Sequence, residues 1–191
     1  MTLVVGLGNP TPAYKNSRHN VGFMVIDAIL DNQNPTKINK AFFNGELYKI
    51  SKTLFLKPLT FMNNSGESVV KVVNYYDVKK IIVIHDDLEI PFGSFRIKSG
   101  GGNGGHNGLK SIDAHIGKDY IRVRIGISKP AFKDDISNYV LSDFSKSEKI
   151  CLQKVLAQAK DAVGCLIEDK LVNCQSKYST KKSICRDLEK N

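Results

Sequence analysis

A chain of 191 residues, 41% apolar and 25% charged, is long enough to bury a core unaided and too ordinary in composition to be fibrous or disordered. No stretch approaches the roughly 20 apolar residues of a membrane span, and Met1-Thr2-Leu3-Val4-Val5-Gly6 lacks the basic segment of an export signal, so a single cytoplasmic domain over residues 1–191 is expected. The 28 Lys and Arg against 19 Asp and Glu give a net charge of +9, which favours a polyanionic partner, nucleic acid or an anionic membrane surface, over neutral ones.

Short apolar runs rich in β-branched residues predict strands at Leu3–Leu7, Leu47–Ile50, Thr53–Leu56, Ile81–His85, Gly93–Ile97 and Ile121–Ile127. Helical patterns lie between them. His19–Leu30 carries Phe23, Ile26, Ala28, Ile29 and Leu30 on one broad face. Asn64 with Glu67 three residues on has the form of a capping box, opening a helix with Val69, Val72, Val73 and Tyr76 inward. Leu152, Leu156, Ala159, Val163 and Leu166 step by 4, 3, 4 and 3, an amphipathic helix near the end, and a basic, mobile tail is expected from about residue 177. Strands alternating with helices predict an α/β fold: a twisted, mostly parallel mixed β-sheet flanked by helices on both faces. In such sheets the crevice lies beyond the carboxyl ends of the strands, which gathers the turn after Leu7, the turn after His85 and the loop after Ile97.

The four cysteines, Cys151, Cys165, Cys174 and Cys185, are spaced by 14, 9 and 11, which matches no zinc motif; without an export signal they are expected to be reduced structural thiols. Gly6-Leu7-Gly8-Asn9-Pro10 starts like a dinucleotide fingerprint but has Thr11 at the third glycine, so it reads as a tight turn presenting Asn9. His19 follows in Ser17-Arg18-His19-Asn20. A histidine opening a helix is more often structural than catalytic; at the positive end of the helix dipole its pKa is expected to fall, leaving the neutral imidazole that a general base requires.

His85-Asp86-Asp87 closes a buried strand. It is either a solvated turn or the source of a carboxylate that fixes the His19 tautomer; a magnesium site would need further oxygen ligands than the sequence places there. The run Ser99-Gly100-Gly101-Gly102-Asn103-Gly104-Gly105-His106-Asn107-Gly108 holds six of the 15 glycines. It is either a flexible loop or one that lets backbone approach a ligand, with Lys98 at its entrance. Its Gly100, Gly102 and Gly105 satisfy G-x-G-x-x-G formally, but the central position and the missing acidic partner do not suit a dinucleotide fold. Phe61-Met62-Asn63-Asn64-Ser65 is, alone, a helix cap. No G-x-S-x-G, H-E-x-x-H or P-loop occurs, and no cysteine falls near these segments, so water is the expected nucleophile. A nucleotide-dependent enzyme using the glycine loop and a catalytically silent RNA-binding protein are the rival classes.

In order and spacing these blocks resemble bacterial peptidyl-tRNA hydrolases. The resemblance is carried by Gly6-Leu7-Gly8-Asn9-Pro10, Tyr14, Arg18-His19-Asn20 with Gly22, Thr60-Phe61-Met62-Asn63, Ser65-Gly66, His85-Asp86-Asp87-Leu88, His106-Asn107-Gly108-Leu109-Lys110 and Arg122-Val123-Arg124-Ile125-Gly126, from residue 1 to about 145. It implies hydrolysis of the ester between a peptide and the 3′ ribose of tRNA, without metal or cofactor, by a monomer. It further implies His19 as general base and Asp86 as its orienter. Asn9 and Asn63 would position the peptidyl group and the water, Asn107 would bind the water or the oxyanion, and Tyr14 and Met62 would line the cleft. Lys98 and Arg124 would grip the tRNA near its 5′ phosphate. The chain departs from the family pattern at Thr11-Pro12, where glycine usually follows Asn-Pro, and at Ser17, where threonine is common. The cations Arg96, Lys98, Lys110, Lys118, Arg122, Arg124, Lys129 and Lys133, concentrated in a stretch poor in acids, fit an RNA partner.

Overall fold

The computed structural model describes all residues except 32, 133–134, 181 and 186–191, so Lys133 and the end of the expected tail lie outside the described residues. Seven strands form one sheet in the order β2-β3-β4-β1-β5-β7-β6: β1 (Thr2–Gly6), β2 (Thr36–Lys37), β3 (Gly45–Ile50), β4 (Thr53–Pro58), β5 (Lys80–Asp87), β6 (Phe95–Ser99) and β7 (Ile121–Gly126). The central pairs β4–β1, β1–β5 and β5–β7 are parallel, and the flanking pairs β2–β3, β3–β4 and β6–β7 are antiparallel. The α/β class read from the sequence is the fold observed. Strand β2 has no counterpart among the expected strands, since two exposed residues carry no periodic signal.

Alternation within each strand builds two cores. Val4, Phe55, Ile82, Ile84, Val123 and Ile125 face α1 (Val21–Leu30) and α5 (Lys146–Glu168). Leu3, Val5, Leu54, Leu56 and Val83 face α2 (Ser65–Tyr75) and α3 (Asn107–Ile116). Burial of each such side chain stabilises the fold by about 1.5–3 kcal/mol. The predicted heptad-like stripe of α5 is buried along its length, and its start is fixed by a capping box of Ser145 and Glu148. The box expected at Asn64 and Glu67 does not form. A 3₁₀ turn, Met62–Asn64, runs straight into α2, and the Asn64 side chain makes no cap bond.

Helix α1 enters at a point of very close contact with the sheet. A Cβ on Gly22 would overlap Leu7 N and Ile84 O, and one on Gly6 would overlap Gly22 O. The two glycines let the start of α1 drop onto the ends of β1 and β5, which is what carries His19 to Asp86. On the same face as α1, the short helix α4 (Ile136–Leu141) packs against the turn Arg18–Asn20, and α6 (Leu171–Tyr178) packs against α5 and β6.

The cysteines correct one expectation. Cys151 is bonded to Cys185 and Cys165 to Cys174, and none of the four is a free thiol. The nearest sequence signal, spacing, carries no information on which helices bring two sulfurs together. The segment after α6 runs along the outer edge of β6. Thr180 N donates to Phe95 O, Phe95 N to Thr180 Oγ1, Ile97 N to Ser179 Oγ and Ile184 N to Gly93 O. Among the described residues no helix is long and apolar enough to cross a membrane.

Candidate active site

The carboxyl end of β5 places Asp86 under two imidazoles. Its Oδ1 accepts from His19 Nδ1 at 2.8 Å and from His106 Nε2 at 2.9 Å. His19 comes from the 3₁₀ turn Arg18–Asn20 ahead of α1, and His106 stands at the N-cap of α3. His106 Nδ1 accepts the Gly108 and Leu109 amides at 3.1 and 3.4 Å, so that nitrogen is bare and the proton of the neutral ring sits on Nε2, facing Asp86. By the same logic His19 donates from Nδ1 and keeps the lone pair of Nε2, the nitrogen a general base uses.

Asp86 is fully enclosed. Burial alone would raise its pKa, but the charges and hydrogen bonds of His19 and His106 overturn that and hold it far below the usual carboxylate range. His19 is a correction to the dipole argument. Burial pulls its pKa down, yet the charge of Asp86 and the hydrogen bond to it outweigh burial, and the net shift is upward. A carboxylate at 2.8 Å dominates a helix end that begins two residues later. His85, wholly buried beside His106, is pushed down to about 3 by burial first and by the charge of His106 second. Its Nδ1 donates to Asp86 O and its Nε2 has no partner.

His19, Asp86 and His106 could also be read as three metal ligands, since their donor atoms lie within 4.8 Å of one another. The hydrogen bonds argue otherwise. His106 could offer Nε2 to a metal only by surrendering the α3 cap or by becoming an imidazolate.

His19, Asp86, His106, Asn107, Lys98 and Arg124 all line one cleft of about 550 Å³. The other expected residues stand beside it. Asn9 is buried on the turn after β1, with its Oδ1 accepting Met62 N at 2.8 Å. Met62 is buried in the turn at the start of α2, against Gly108 of α3. Tyr14, half-buried on the turn Pro12–Tyr14, and Asn63, exposed on the turn Met62–Asn64, do not line that cleft. Asn107, the first residue of α3, is exposed.

One half of the cleft is basic because of strand register. Lys98 on β6 pairs with Arg122 on β7, and Arg96 with Arg124. Alternation therefore sets four cations on one face of the pair while Phe95, Ile97, Val123 and Ile125 fill the core beneath. Their surroundings differ. Arg122 is buried and donates to the Gly100 and Gly102 carbonyls, which ties down the glycine loop. Asn103 of that loop is held by Asp113, which also accepts from Tyr120, so the flexible-loop reading gives way to an anchored loop. Arg124 Nε donates to Asp87 Oδ2 at 2.8 Å, and Lys98 is exposed.

His106 is the residue that sequence reasoning left without a role. Its signal was present, a histidine at the end of a glycine loop opening a helix, but its partner is 20 residues away in sequence. Arg122 was likewise counted only among the cations.

Comparison with known proteins bears on this cleft. The family model described as Peptidyl-tRNA hydrolase matches residues 3–185. A peptidyl-tRNA hydrolase of Sulfurovum sp. is 50% identical over 183 residues, covering 95% of this chain and 97% of the relative. One from Campylobacter jejuni subsp. jejuni is 52% identical over 183 residues, covering 95% and 99%. The crystal structure of peptidyl-tRNA hydrolase from Acinetobacter baumannii superposes with a TM-score of 0.89 at 34% identity, over 95% of this chain and 96% of that one. With the fold, the order of its sequence blocks and full-length relatives in agreement, the chain belongs to the peptidyl-tRNA hydrolase family.

Proposed function

We propose that this enzyme cleaves the ester between the peptide and the 3′ ribose of peptidyl-tRNA, with His19 activating water. The observation that carries the reading is the His19 Nδ1–Asp86 Oδ1 bond at 2.8 Å, which aims a bare Nε2 away from the carboxylate. In this scheme Nε2 takes a proton from water and the resulting hydroxide attacks the ester carbonyl carbon. Asp86 stabilises the imidazolium that forms. As the tetrahedral intermediate collapses, the bond from carbonyl carbon to O3′ breaks and the imidazolium returns its proton to the departing oxygen.

The amides of Asn107 and Asn9 supply donors for the oxyanion and the peptidyl backbone, Asn63 positions the water, and Tyr14 and Met62 bound the peptide side. His106 donates to the same Oδ1 that His19 uses, a second bond that keeps the carboxylate from swinging away from His19. Lys98 and Arg124 grip the phosphate end of the tRNA acceptor, as their place on the basic face supports. No metal or organic cofactor enters the scheme, and a cytoplasmic monomer meeting tRNA in solution is its setting.

The test is release of N-acetyl-amino acid from charged tRNA, with and without chelator. Activity that resists chelation and disappears in His19→Ala is the expected result. Near-normal hydrolysis by that variant would refute the assignment of His19, and tRNA binding without hydrolysis by the unaltered protein would favour the silent RNA-binding reading.

A further inference from the structure

Asn20 occupies the N-cap position of α1, where an asparagine side chain ordinarily accepts a backbone amide of the first turn. Here it makes no such bond. Its amide is spent instead on the turn 11 residues earlier: Asn9 N donates to Asn20 Oδ1 at 2.9 Å, and Asn20 Nδ2 donates to Asn9 O at 2.9 Å. The two bonds close a ring of the kind that pairs neighbouring strands. Asn20 is almost wholly buried, 2% exposed, and Ser17 Oγ donates to the same Oδ1 at 3.4 Å, steadying the amide from the other side.

The consequence falls on Asn9. Its backbone N–H and C=O are both held by Asn20, and its Oδ1 is held by Met62 N. That set of bonds fixes which end of the side-chain amide is which. Only Nδ2 remains without a protein partner among the described residues, and it is not sealed from solvent. Asn9 can therefore offer a donor, not an acceptor, to whatever enters beside it.

We propose that Asn20 is a positioning residue, which forgoes capping its own helix in order to lock Asn9 as an N–H donor toward the substrate. The inference rests on the placement of Asn9 in the active site under the function proposed above. Because Asn20 directly follows His19, one rigid segment then sets both the base and the donor. Ser17, whose departure from the family's threonine leaves the hydroxyl in place, belongs to the same support.

A double-mutant cycle on single-turnover hydrolysis of N-acetyl-aminoacyl-tRNA tests this. Asn20→Ala should lower the chemical step by about 10- to 100-fold, the scale of a misplaced catalytic group, with tRNA affinity unchanged. In an Asn9→Ala background the same change should cost almost nothing more. Losses that multiply would show that Asn20 acts structurally and not through Asn9, and would overturn the proposal. If Asn20→Ala does not fold, Asn20→Ser enters the same cycle under the same criterion. Hydrogen exchange of the Asn9 amide is read in parallel, where at least tenfold faster exchange is expected in the variant. Unchanged exchange would remove the clamp itself, whereas a wild-type protein that does not hydrolyse would defeat the functional reading and not the clamp.

Discussion

At the end of β5 a buried carboxylate is enclosed by two imidazoles at 2.8 and 2.9 Å, while Lys98 at the cleft and Arg96 on the same face of β6 stand exposed. The first arrangement works at contact range, in an enclosed site where each hydrogen bond is strong and misplacement is costly. The second works through a summed field that salt screens within about 8–10 Å. Under the proposed mechanism the dyad governs the chemical step, and the basic face governs capture of the polyanion. Arg122 and Arg124 lie between the extremes: formally part of the basic face, they are engaged by loop carbonyls and by Asp87.

The largest expected effect breaks the contact-range side. His19→Ala should lower turnover by about 10²- to 10⁴-fold with folding and tRNA affinity retained, measured by single-turnover hydrolysis and thermal unfolding. Next, Asp86→Asn should reduce turnover less, because the tautomer is weakened but the imidazole remains; greater damage than in His19→Ala would show the roles to be reversed. The pH profile sharpens the same point. His19 must be neutral to act, and its pKa is raised, so kcat/KM should climb with pH through a midpoint above 6.5 and then level off. In Asp86→Asn that midpoint should move down, since the carboxylate is what raises it.

On the long-range side, Lys98→Ala should flatten the dependence of log affinity on log salt by about 0.7–0.9 per lost phosphate contact, leaving the chemical step intact. Arg124→Ala should do so by less, because Asp87 already offsets part of its charge. Equal effects of the two would contradict the distinction. The last expected effect concerns stability and not activity. His85 stays neutral in the fold down to about pH 3 but protonates near 6.5 when unfolded, so the unfolded state binds the extra proton between those values. Stability should then fall as pH drops through that window, by at most about 1.4 kcal/mol per pH unit from this group. His85→Leu should flatten that part of a urea-unfolding profile.

Six strands, the helices α1, α2 and α5 and the approach of the segments that carry Asn9, Asp86 and Asn107 were legible because alternation and strand-end placement are local patterns with global consequences, while His19 was singled out by the family resemblance. What was not legible depended on competition between partners. The Asn64 cap failed because a 3₁₀ turn took the backbone first, while Ser145-Lys146-Ser147-Glu148 carried the same signature and does form. The sign of the His19 shift turned on a residue 67 positions away, outweighing a local dipole. The pairing of Cys151 with Cys185 spans 34 residues and depends on how the final segment lies, which no spacing rule encodes. His106 needed knowledge that one oxygen of Asp86 serves two rings.

The route of the chain after α6 has a consequence for how copies of the molecule meet. An open β-strand edge is a template on which another chain can add a strand. At one margin of this sheet β2 offers only two residues. At the other, Ser179, Thr180 and Ile184 satisfy the outward-facing groups of Gly93, Phe95 and Ile97, and Cys185 is fastened to α5. The segment after α6 acts as selvedge, keeping the cation-bearing strand β6 from being woven into a neighbour.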